Sequence, residues 1–104
     1  MKIIFTDDER EQIYNVYMSI AQNREIKMTP DEAKTLTEIV ERTSGYRGKE
    51  KYTREMLTSI GHVLAQIVRD NPKPSKDFKE NIKLYRSIVE KIERKLGDDQ
   101  VLPV

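Results

Sequence analysis

The only histidine, His62, is the one side chain of this 104-residue chain with an ordinary proton affinity near neutral pH. Acid–base chemistry would require a second group to orient its ring and a nucleophile within reach. On a helical wheel His62 points away from the apolar stripe, alongside Glu55, Ser59, Gln66 and Arg69. Its neighbours at i±4, Thr58 and Gln66, carry neither carboxylate nor thiol. The expectation is a solvated histidine and a chain that is not an enzyme.

Metal chemistry fares no better. Cysteine is absent and one histidine cannot build a zinc site. Asp7, Asp8, Glu9 and Glu11 are crowded together, whereas calcium loops space their oxygens around a glycine turn. Carboxylates in a first helical turn already have a dipole explanation, and Asp98 and Asp99 follow a helix stop. Gly45 and Gly48 match neither the dinucleotide fingerprint nor the P-loop, and no strand pattern precedes them. No metal and no cofactor is expected.

Charge is the stronger signal. Residues 1–41 carry five Lys/Arg against nine Asp/Glu, whereas 42–54 carry five cations against the single Glu50. The overall charge of +1 hides this segregation. Arg42, Arg47, Lys49, Lys51 and Arg54, with Tyr46 and Tyr52 interleaved, could meet an acidic protein surface, or could bind phosphates while the tyrosines stack on bases. A surface of one sign selects its partners by charge. The basic line on the last segment (Lys76, Lys79, Lys83, Arg86, Arg94) is weaker, because Glu90 lies four residues from both Arg86 and Arg94.

Four helical segments must position these groups, at about 7–24, 30–44, 51–70 and 76–96. Thr6 with Glu9, and Thr29-Pro30-Asp31-Glu32, read as capping boxes. Gly45 and Gly97 read as stops, Asn71-Pro72-Lys73-Pro74 ends the third segment, and Ser75 or Asp77 should cap the fourth. Apolar residues recur at helical spacing throughout, and period-2 alternation is missing, so the fold class is all-α. The second segment has a narrow stripe (Ala33, Leu36, Ile39, Val40); the other three are broader. Helices 1, 3 and 4 therefore form the core of a small four-helix bundle, with helix 2 peripheral. Gly61, inside the third segment, implies close approach of another helix.

The width of the fourth stripe, through Leu84 and Ile88, suggests a homodimer interface, as does a hydrophobic fraction of 37% beside a charged fraction of 36%. The apolar stretches 3–5 and 101–104 could cover the bundle end, pair as short strands or dock into a partner. One domain over 1–104, without disulfides, an export signal or a membrane span, indicates a cytoplasmic protein. The expected function is a small non-enzymatic regulator, adaptor or inhibitor that binds a partner protein with an acidic surface. A nucleic-acid-binding module using 42–54 is the alternative.

Overall fold

A threonine side chain caps the start of each of the first three helices. The computed structural model describes residues 1–44 and 51–97. Helix α1 (Asp7–Gln22) starts at Thr6, whose hydroxyl accepts from the Glu9 N–H at 3.1 Å while the Thr6 N–H donates to Glu9 Oε1 at 2.8 Å. It ends two residues sooner than the sequence suggests. Asn23 leaves the helical conformation, and its side-chain oxygen accepts from the Glu25 N–H at 3.0 Å, an alternative to the helical ladder. Helix α2 (Pro30–Thr43) has the same reciprocal box between Thr29 and Glu32, with proline in its first turn.

Helix α3 (Arg54–Asp70) begins three residues later than expected, because the residues before it are paired elsewhere. Lys51 forms an isolated antiparallel bridge with Lys2. The Tyr52 N–H donates to the Met1 carbonyl at 2.8 Å, and the Met1 ammonium donates to the Tyr52 carbonyl at 2.7 Å. Thr53 can then cap the helix, accepting from the Met56 N–H at 3.1 Å.

Helix α4 (Lys79–Leu96) also starts three residues late, and neither Ser75 nor Asp77 caps it through a side chain. The Ser75 carbonyl instead accepts from the N–H groups of Phe78 and Lys79, each at 3.0 Å, so a turn precedes the helix. Gly97 supplies the stop: its φ of +63° is in the left-handed region that glycine enters without a Cβ penalty.

The result is an all-α four-helix bundle. Helix α3 packs most closely on α4, α1 lies against both α2 and α4, and α2 leans on α3 more lightly. Its inward face explains that peripheral place: α2 buries only Ile39 and Thr43, whereas α3 buries Met56, Leu57, Ile60, Gly61, Leu64 and Ala65. Ile13 and Tyr17 of α1 complete the centre with Ile82, Tyr85, Ile88, Val89 and Ile92 of α4. Of the apolar segment 3–5, Ile3 and Phe5 are buried in the core and Ile4 is exposed. Phe5 meets Tyr52 edge to face at 5.5 Å, a favourable arrangement for two ring quadrupoles. The radius of gyration, 13.2 Å, matches the roughly 13 Å of a compact chain this long. Among the described residues no helix is long and apolar enough to cross a membrane.

Candidate functional site

A concave surface lies between α2 and α3. Thr35 of α2 and Thr58 and Ser59 of α3, all short side chains, line it. It forms a groove of about 600 Å³, within the size range of ordinary binding pockets. Tyr17 and Ile20 of α1 line it, with Leu36 and Val63 from its two walls. Ile26 and Met28 come from the connection leaving α1, and Ile26 is 41% exposed, one of only three large apolar side chains so open among the described residues. A second hollow of about 550 Å³ shares Ile20, His62 and Val63 with the groove and reaches Val16 and Ile67.

The rim is charged. Asp31 and Glu32 stand on the α2 side and Glu55 on the α3 side, all exposed, against Arg54 as the single cation among the described residues. One oxygen of Glu32 already accepts from the Thr29 N–H. Inside the groove the Tyr17 hydroxyl and Ser59 Oγ are 2.8 Å apart, tying α1 to α3. Burial pushes the Tyr17 phenol well above its usual range, and the Ser59 hydrogen bond offsets that only in part. His62 is exposed at the rim. Ser59 Oγ is engaged by Tyr17, and among the described residues no hydrogen bond joins it to His62. Among the described residues no three His, Cys, Asp or Glu side chains are grouped as metal ligands would be.

A second polar cluster is sealed inside the bundle. Glu9 is 1% exposed. Its Oε2 accepts from Ser87 Oγ at 2.8 Å, its Oε1 pairs with the Lys91 ammonium, and the Thr6 N–H completes the set. Burial alone would raise the Glu9 pKa. Hydrogen bonds from Lys91, the Thr6 backbone and Ser87, with the Lys91 charge, outweigh that and hold the carboxyl below its ordinary value. Close by, the Tyr85 hydroxyl donates to Gln12 Oε1 at 3.2 Å. This cluster joins α1 to α4.

Of the seven residues proposed from sequence as a partner surface, Arg42, Lys51, Tyr52 and Arg54 are described. Arg54 reaches the groove, Lys51 is exposed beside the bridge to Lys2, and Arg42 is half-buried in the last turn of α2. Tyr52 is not available for stacking: at 2% exposure its ring belongs to the core, because the strand-like pairing of residue 51 turns residue 52 inward. Burial raises the Tyr52 pKa, partly offset by the charges of Arg10 and Arg42. Tyr46, Arg47 and Lys49 lie outside the described residues, as do Gly45, Gly48, Asp98, Asp99 and segment 101–104.

On α4, Ile88 cannot be an interface residue without unfolding. It is 0% exposed within a single chain, because α4 meets both α1 and α3 and needs the extra stripe width for them. Leu84 is half-buried. The groove residues Ile20, Ile26, Met28 and Leu36 were not singled out from sequence as a site. The available signal was the pair Ile26 and Met28 in an otherwise polar connection.

Comparison with protein-family models, with curated protein sequences and with solved structures finds no match for this chain.

Proposed function

We propose that this protein is a small non-enzymatic adaptor or regulator that acts by holding a segment of a partner protein in the groove between α2 and α3. The observation that carries this reading is the groove itself. Apolar side chains of α1, α2 and α3 line an open cleft there, with Ile26 and Met28 beside it. Exposed apolar surface rimmed by polar groups is the usual form of a protein-interaction site.

The nucleic-acid alternative is weakened by the inward turn of Tyr52, which removes one of the two stacking platforms in 42–54. Site-specific photo-cross-linking separates the two readings. A photoreactive residue at Thr35 or His62 should give protein adducts that survive nuclease treatment, whereas one at Lys51 should give few. Adducts confined to Lys51 and lost on nuclease treatment would refute the groove and favour the alternative.

A further inference from the structure

The chemistry of the groove narrows what can occupy it. Its walls are helices, whose backbone groups are already paired, so an extended peptide finds no sheet edge to join. A polyproline segment needs a platform of exposed aromatic rings. Among the described residues Tyr17 is the one aromatic side chain lining the groove, and it is buried with its hydroxyl engaged. A helix brings its own backbone hydrogen bonds and presents only side chains, which suits a cleft between helices.

Length agrees with this. Along α3 the groove and the adjoining hollow run from Arg54 to Ile67. At about 1.5 Å per residue that is roughly 20 Å, or three to four turns of a partner helix. Charge selects further, since among the described residues Asp31, Glu32 and Glu55 line the cleft against Arg54 alone.

A second copy of this chain does not satisfy those requirements through α4, its most basic helix. Lys79, Lys83 and Arg86 are exposed, but the apolar side of that helix (Ile82, Tyr85, Ile88, Val89) is committed to its own core.

We infer that the groove receives an amphipathic helix of another protein, with apolar anchors at helical spacing and lysine or arginine on its flanks. This rests on the groove being the working surface, as proposed above. The anchors would lie over Ile20, Leu36 and Val63, and the flanking cations would face Asp31 on one wall and Glu55 on the other. Electrostatic complementarity at such a rim fixes orientation and excludes acidic competitors more than it adds affinity.

The test uses the full chain and two labelled synthetic peptides with identical leucine anchors at helical spacing, one flanked by lysines and the other by glutamates. Backbone amide shifts locate binding, and fluorescence anisotropy measures it. The lysine peptide should shift the amides around Ile20, Leu36 and Val63 and bind about tenfold more tightly than the glutamate peptide at low salt, on the order of 1.4 kcal/mol. The preference should shrink as salt screens the rim.

The double variant Asp31→Lys/Glu55→Lys changes two exposed side chains and should invert the preference while leaving the helical circular dichroism intact. Equal binding of both peptides within the groove, or a preference that the double variant leaves unchanged, would overturn the basic-helix inference while sparing the groove. If neither peptide shifts the groove amides, the groove reading fails and this inference with it.

Discussion

Lys91→Met tests whether the carboxylate sealed between α1 and α4 is held in its ionised form by the protein. Glu9 is 1% exposed and would retain the Thr6 N–H and Ser87 donors after the substitution, but would lose its counter-charge. Stranding a buried charge costs about 3–5 kcal/mol when the pair is fully desolvated. The Lys91 side chain is 31% exposed, so water reaches this pair and a smaller loss follows, about 2–3 kcal/mol at pH 7. For a chain of this size that is a fall in Tm of roughly 10–20 °C.

The pH dependence identifies the cause. With its folded pKa depressed, Glu9 contributes stability above the unfolded carboxylate value of about 4.3, and loses it as pH falls through the folded value. Without Lys91 the burial effect gains weight and the folded pKa rises. The deficit of the variant should therefore be greatest near neutrality and shrink once acid protonates Glu9 in both proteins. Urea titrations followed by circular dichroism at several pH values between 3 and 7 measure this. Glu9→Gln/Lys91→Met should be more stable at pH 7 than Lys91→Met alone, because the amide leaves no charge behind. A Lys91→Met protein within about 0.5 kcal/mol of the wild type at pH 7, or a deficit independent of pH, would refute the reasoning.

Ile88→Ala should destabilise by about 2–5 kcal/mol and Ile88→Glu should abolish the folded state; a well-folded Ile88→Glu protein of reduced mass in light scattering would restore the residue to a dimer interface. Tyr52→Phe should be neutral or stabilising by about 1 kcal/mol, since the buried Tyr52 hydroxyl has no hydrogen-bond partner among the described residues. A clear loss in denaturant midpoint would show that the hydroxyl is satisfied after all. Tyr17→Phe should cost about 1 kcal/mol through the lost Ser59 contact, and it should broaden the amide signals of the groove; unchanged stability and spectra would mean the hydrogen bond does not brace the cleft.

The helices were legible because their signals are local. Thr6 with Glu9, and Thr29 with Glu32, form both reciprocal boxes in the structure, and Gly97 adopts the left-handed stop. The late starts of α3 and α4 were not legible, since each depends on a carbonyl or a distant segment rather than a side-chain code. No local rule says that Lys51 will pair with Lys2 and so commit Tyr52 to the core. Ile88 was misassigned for a related reason: stripe width measures how much of a helix is covered, not whether the cover comes from the same chain. The groove was the least visible feature. Side chains of three helices line it, and a sequence read one helix at a time contains no record of how they meet.

The Glu9 cluster also constrains how the molecule is made. Ser87 and Lys91 are 78 and 82 residues from the carboxylate they satisfy. At a synthesis rate of about 5–20 residues per second, the ribosome needs on the order of 4–16 s to supply them after Glu9 is added. Until α4 is made, the Glu9 carboxylate has only the local Thr6 N–H of its three native donors.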